Sequence, residues 1–243
     1  MKFEYENSFE VKHKIQERKI AILPIGAIEA HGPHLPLSTD NILAERLSEK
    51  LAEKVHAFVL PTLPYGQVWS LRDFPGSINI SNESLISVLV DIGTSLYKQG
   101  FRIWAIVNGH LGNQPALKDA ARVLYDRFQD FKVFYFFYPG MNTILKDVRE
   151  TKSVHFTYFH ACEVETSIML YLAEEHTNMD KAICDIPNIP ESADFTPTPW
   201  QKFTNTAVLG DATLATKEKG EKIVEAAIEK MAAMLRSAKD EIA

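Results

Sequence analysis

The stretch Lys19–Asp40, KIAILPIGAIEAHGPHLPLSTD, carries fold and chemistry side by side. After Lys19, residues 20–25 form a continuous apolar run that stops at Gly26. A run without polar alternation reads as a strand buried on both faces, the pattern of a parallel sheet. The loop that follows holds Glu29, His31 and His34 and ends at Asp40. Carboxylates and imidazoles are the ligand set of Zn, Mn and Fe. The same set serves metal-assisted hydrolysis. Pro33 and Pro36 restrict the loop's shape, which suits a rigid ligand frame. Asp40 also stands where a helix N-cap would, and capping alone is the other reading of that residue.

Outward from this stretch, strands and helices alternate. Asn41–Lys54 has Ile42, Leu43, Leu47 and Leu51 at helical spacing, and Ala57–Leu60 is a short apolar strand. A long irregular loop runs through Pro61, Pro64, Gly66, Pro75 and Gly76. Glu83–Gln99 reads as a helix capped by Ser81 or Asn82 and closed by Gly100. Phe101–Val107 (FRIWAIV) is a third buried strand, and NGHLGN (108–113) is a turn. A helix from Pro115 to about Phe128 and a strand at Lys132–Tyr138 follow. This alternation predicts an α/β fold with a mostly parallel sheet and helices on both faces. Ligands of such sheets bind beyond the strands' carboxyl ends. Both histidine-bearing loops leave strands at that end, which predicts that they lie side by side.

Beyond Tyr138 the pattern is less regular. Glu163–Glu175 reads as a helix, the proline-rich 187–199 as a surface loop or lid, and Lys217 onward as a long amphipathic helix. No repeat or boundary divides the chain, so one domain spanning 1–243 is expected.

Composition excludes some classes of function. The chain has 243 residues, 46% hydrophobic and 24% charged, with net charge -6. No long basic cluster is present, which argues against nucleic-acid binding. No apolar run is long enough to span a bilayer, and the mixed, acidic N-terminus lacks a signal-peptide core. Cys162 and Cys184 make neither a disulfide framework nor a metal knuckle. A cytoplasmic location is expected.

His110 follows Asn108-Gly109 directly after a wholly apolar strand. HACEVETS (160–167) opens a helix. Its Glu163 and Glu165 lie about 200° apart on a helix of 3.6 residues per turn, so at most one faces a site there. Acidic residues in a first turn also complement the helix dipole, which is the other reading of both.

Three segments, GAIEAHGPHLPLSTD (26–40), NGHLGN (108–113) and HACEVETS (160–167), resemble in order and spacing the creatininase family, the creatinine amidohydrolases and their relatives. Weaker matches are FPGS (74–77), GDAT (210–213) and the residues Ala215–Gly220. The resemblance implies a three-layer α/β/α fold, homo-hexamers and two divalent metal ions. It implies that Glu29, His31, Asp40 and His110 bind metal, with Asp40 bridging. True creatininases carry a glutamate ligand two residues after the histidine matching His110. Here that position is Gly112. Glu165 is the first choice for the missing carboxylate and Glu163 the second, and Glu163 is otherwise a catalytic candidate. The tryptophan-bearing segment with which creatininase covers its substrate has no counterpart before His160, which argues against creatinine itself.

The expected reaction is hydrolysis of a C–N bond in a small cyclic amide or formamide. Zn, Mn or Fe suits the mixed oxygen and nitrogen donors. His160 is the expected catalytic residue, protonating the leaving nitrogen or holding the tetrahedral intermediate. His34 is expected to orient a ligand carboxylate beside the substrate, and Gly66, Ser70 and Gly76 to line the substrate pocket. Two other classes fit the same residues: a metal-containing protein that binds a small metabolite without turnover, and a metal-free acid–base isomerase or lyase.

Overall fold

The computed structural model describes residues 1–242. Its elements are α1 (Ser8–Lys14), β1 (Ile20–Ile25), α2 (Thr39–Val55), β2 (Phe58–Val59), α3 (Asn82–Gln99), β3 (Ile103–Asn108), α4 (Gln114–Arg127), β4 (Lys132–Phe136), α5 (Met141–Val148), α6 (Glu163–Leu172), β5 (Cys184–Asp185), β6 (Gly210–Asp211) and α7 (Lys217–Glu241). The main sheet has order β2-β1-β3-β4, and every pairing in it is parallel. The β5–β6 pair is a separate antiparallel ribbon.

Successive residues of β1 and β3 feed two cores, as the two-residue period of a strand requires. Ile20, Ile22, Ile103 and Ala105 pack with α2, α5, α6 and α7. Ala21, Leu23, Trp104 and Ile106 pack with α1, α3 and α4. Helices thus cover both faces, and the architecture is a three-layer α/β/α fold. Leu43, Leu47 and Leu51 of α2 are all fully or nearly buried on the first face. Each contributes about 1.5–3 kcal/mol by leaving water, which anchors the helix that carries Asp40.

Most of the expected elements form within a few residues of their predicted bounds. Ser81 caps α3 by accepting from Ser84 N, and α3 ends at Gly100. The expected strand 57–60 is reduced to Phe58–Val59, and β4 ends at Phe136. The helix expected over 163–175 is α-helical to Leu172, with a 3-10 turn at Glu174–His176. Helix α5 and the β5–β6 ribbon were not foreseen, because short elements leave little periodic signal. Residues 187–199 form an irregular segment with one 3-10 turn, Glu191–Asp194. Among the described residues no helix is long and apolar enough to cross a membrane.

Candidate metal centre

Ile25 and Asn108, the last residues of β1 and β3, are partners in the parallel register. The loops leaving those strands are therefore neighbours at the sheet's carboxyl edge, as the alternation predicts. The strand order reverses here, since β1 and β3 continue to opposite faces: α2 covers one and α4 the other. This is where parallel sheets leave a crevice. Asparagines stitch the two loops together. Asn108 Nδ2 donates to His110 O, and Asn108 Oδ1 accepts from His110 N. Asn113 Nδ2 donates to Gly26 O and Asn113 Oδ1 accepts from Gln67 N. Gly109 lets the β3 loop touch the start of α2: a Cβ there would lie 2.2 Å from Asp40 O.

Six side chains converge on the crevice. Asp40 Oδ1 lies 3.2 Å from His31 Nε2, and Asp40 Oδ2 lies 3.2 Å from His110 Nδ1. Glu29 Oε1 lies 3.1 Å from His110 Nδ1 and 3.7 Å from His160 Nδ1. Glu165 Oε2 lies 3.6 Å from His31 Nε2. Their donor atoms form three overlapping groups able to hold an ion: Glu29, Asp40 and His110; His31, Asp40 and Glu165; and Glu29, His31 and His160.

Each imidazole is oriented by a backbone carbonyl. His31 Nδ1 donates to Glu29 O, His110 Nε2 to Gln67 O and His160 Nε2 to Ala30 O. These bonds leave the other ring nitrogen of each histidine facing the carboxylates, the arrangement of a ligating imidazole. Glu29, His31 and Asp40 are each 1% exposed. Glu29 Oε2, Asp40 Oδ2 and His31 Nε2 are buried without a hydrogen bond. Buried polar atoms are rarely left so, and three carboxylates packed together demand positive charge. The donor set therefore fits divalent cations.

Electrostatics point the same way. Burial alone would lower the His31 pKa, but Asp40 and Glu165 outweigh it and hold the ring well above its usual value. For His110 burial is likewise overcome, by Glu29 and Asp40. Burial would raise the Asp40 and Glu165 carboxyls, yet His31 chiefly holds both below their ordinary values.

Several expected assignments are corrected by position. Asp40 is not the N-cap of α2. Ser38 occupies that place, and the Asp40 carboxylate turns into the crevice. Glu163 is buried but faces away from the cluster. Its oxygens accept from Glu150 N, Thr151 N, Thr151 Oγ1 and Lys219 Nζ. Glu163 therefore neither joins the cluster nor reaches the cleft, because α6 turns it toward α7. His34 does not line the cleft. Its Nε2 lies 2.9 Å from Thr166 Oγ1, so it braces the first turn of α6 beside Glu165, and burial pushes its pKa down to about 4. Gly66 packs against Asn113 and Gly26, and Gly76 against Leu37. Neither lines the cleft, whereas Ser70 does.

The cleft above the cluster holds about 400 Å³ and exposes Glu29, Asp40, His110, His160 and Glu165. Its walls are largely apolar, with Leu71, Phe137, Phe159 and Trp200. The Trp200 ring meets His160 edge-on, with centroids 5.3 Å apart, and Trp200 N donates to Ser70 O. Trp200, Gln67, Asn108 and Asn113 were not singled out from the sequence. Both asparagines lie in the NGHLGN segment, which reads only as a turn. Trp200 had no signal, because it comes from a loop distant in sequence.

The family model described as "Creatininase: Creatinine amidohydrolase" matches residues 4–235. The chain belongs to the creatininase family. It is 27% identical over 230 residues to the creatinine amidohydrolase of Pseudomonas putida, covering 89% of this chain and 88% of that one. It is 29% identical over 214 residues to the mycofactocin precursor peptide peptidase of Mycolicibacterium smegmatis, covering 84% and 79%. A solved mutant creatininase of Zn–Zn type superposes with a TM-score of 0.86 at 27% identity, covering 97% of each chain. With family membership goes the reaction class: the chain is a hydrolase of the amidohydrolase type. Gly112 has no room for a side chain. A Cβ there would lie 2.4 Å from His110 Nε2 and 2.5 Å from Gln67 O. The bond between those two atoms fills the space a side chain would need; the third carboxylate of the cluster, Glu165, comes from α6.

Proposed function

We propose that the chain is a metal-dependent amidohydrolase with a dinuclear centre, cleaving a C–N bond of a small cyclic amide or formamide. One observation carries the reading: the two oxygens of Asp40 face different histidines, and the groups Glu29–Asp40–His110 and His31–Asp40–Glu165 meet only at that residue. Glu29, Asp40 and His110 would hold one ion and His31, Asp40 and Glu165 a second. Zn, Mn and Fe are all compatible with the donors. Ions bound there supply Lewis acidity and bring the pKa of water from about 15.7 to about 7.

The protein's own groups do the rest. Glu29, Asp40 and Glu165 hold the centre's charge in a buried site where it is poorly screened. Gln67 O, Glu29 O and Ala30 O fix the three ring orientations. Leu71, Phe137, Phe159 and Trp200 exclude bulk water from the amide. His160, with Nε2 committed to Ala30 O, presents only Nδ1 to the cleft. When the ring is doubly protonated, that atom would pass its proton to the leaving nitrogen or donate it to the oxyanion. Homo-hexamer assembly and a cytoplasmic location remain part of the proposal. The first rests on the family resemblance and the second on composition.

The test is elemental analysis of protein purified without chelator, wild type beside Asp40→Ala, followed by a screen of cyclic amides and formamides. About two ions per chain in the wild type, lost in the variant, with turnover of an amide, is the expected result. A wild type that takes up no metal on reconstitution refutes the dinuclear centre.

A further inference from the structure

A second, more open hollow of about 320 Å³ adjoins the metal cleft. The two adjoin across Ser70, Tyr158 and Trp200, which line both. Their volumes each fall at the lower end of the range that holds a drug-sized molecule. An amide the size of a single small ring occupies the inner part alone and leaves the outer part empty.

The lining of the outer hollow is specific in character. Trp69, Tyr158, Phe195, Trp200 and Phe203 bring five aromatic rings to it. Trp200 lies 5.7 Å from Tyr158 and 5.9 Å from Phe203, centroid to centroid. No Lys or Arg lines either part among the described residues. Its one carboxylate is Asp194. That carboxylate accepts from the Tyr158 hydroxyl and lies 3.1 Å from His155 Nε2, so it is turned onto the protein. The absence of a cation and the presence of a carboxylate disfavour an anionic ligand. A cationic ligand meets a different obstacle. The Asp194 carboxylate is already committed to the Tyr158 hydroxyl and His155, and the Arg72 guanidinium stacks on the Trp69 ring at 4.7 Å, so among the described residues no free carboxylate or vacant cation site is offered on the walls. The remaining polar atoms are neutral, from Ser70, Thr196 and Thr198. Aromatic walls favour a flat partner through offset and edge-to-face contacts.

We propose that this outer hollow is a distal substrate subsite that receives an uncharged aromatic group joined to the scissile amide. The inference rests on the amidohydrolase reading, because the cluster defines the cleft in which the amide sits. It makes the substrate a two-part molecule, with a neutral amide head over the cluster and a planar tail between Trp69, Tyr158 and Trp200.

Hydroxamates separate the two parts, since the head chelates a divalent ion and the tail can be varied. Binding of acetohydroxamate, hexanohydroxamate, 4-phenylbutyrohydroxamate, succinohydroxamate and 4-aminobutyrohydroxamate to zinc-loaded protein is measured by calorimetry. Each dissociation constant is divided by that of acetohydroxamate in the same variant. The phenyl probe is expected to bind at least tenfold tighter than acetohydroxamate and tighter than the hexanoyl probe. The carboxylate and ammonium probes are expected to gain less than threefold. Trp69→Ala and Phe195→Ala, at positions that line the outer hollow and not the inner cleft, should each reduce the phenyl gain at least threefold. Both lie on partly or largely exposed loops, and circular dichroism checks that they fold. A phenyl gain absent in the wild type, or undiminished in both variants, overturns the subsite. A charged probe that binds best overturns its assigned chemistry. Failure of acetohydroxamate itself to bind marks failure of the metal-centre reading, and the subsite falls with it.

Discussion

Gly112→Ala perturbs the candidate centre without replacing any side chain that faces it. The added Cβ would lie 2.4 Å from His110 Nε2 and 2.5 Å from Gln67 O. Those two atoms are bonded at 2.7 Å. Ordinary carbon contacts begin near 3.5 Å, so the ring and the carbonyl must each retreat about 1 Å from the new carbon. The bond that orients Nδ1 toward Glu29 and Asp40 is then lost. Loss of such an orienting partner lowers metal affinity or activity by about 10–100-fold, equivalent to about 1.4–2.7 kcal/mol. Stability moves less. Overpacking costs about 1–3 kcal/mol, while replacing a glycine in a compatible backbone returns about 0.4–1 kcal/mol through the unfolded chain. A net loss of about 1 kcal/mol shifts the melting temperature of a chain this size by about 2–4 °C. Competition with a chromogenic chelator gives the affinity, and differential scanning calorimetry of metal-stripped protein gives the stability. A variant that binds metal within threefold of the wild type refutes the claim that Gln67 O orients His110.

Other outcomes follow from the same geometry. His160→Ala is expected to keep its metal and lose turnover. Loss of an ion in that variant would move His160 into the ligand set, and full activity would remove it from the mechanism. Glu163→Gln should retain metal but lose about 2 kcal/mol or more in urea unfolding, because Glu163 is buried and bonded to Lys219. Full stability in that variant refutes the structural role given to the pair. Burial alone would raise the Glu163 carboxyl, but Lys219 and the Glu150 and Thr151 backbone groups outweigh it and hold it below its ordinary value. A carboxyl lowered by folding stabilises fully above its unfolded pKa, about 4.5, and that contribution fades as the pH falls through the folded value. The stability gap between wild type and Glu163→Gln should therefore narrow from pH 7 to pH 3, and a gap constant with pH contradicts the assignment. Dialysis against chelator should lower the melting temperature and zinc should restore it, since ions that bind only the folded chain stabilise it. Identical melting curves would contradict that linkage.

The layer order and the convergence of the two histidine loops were legible in the sequence, because both depend on local patterns. Continuous apolar runs such as KIAILPI and FRIWAIV suit only strands covered on both sides. A parallel connection then brings their carboxyl ends to one edge. Glu29, His31 and His110 could be read there because each follows directly from such a strand end.

Other residues depended on how separate elements are rotated and packed. Helical periodicity says that Glu163 and Glu165 face different ways, but only the packing of α6 against α7 turns Glu163 to Lys219 and Glu165 to His31. Asp40 stands at a helix start in either reading. Its carboxylate enters the crevice because Gly109 lets the β3 loop press against the first turn of α2. Trp200 and His160 are forty positions apart, and no local rule relates them. Local sequence thus determined which groups exist and which edge they gather at. The tertiary structure decided which of them share charge and which hold the frame, because burial and orientation are set by contacts between elements far apart along the chain.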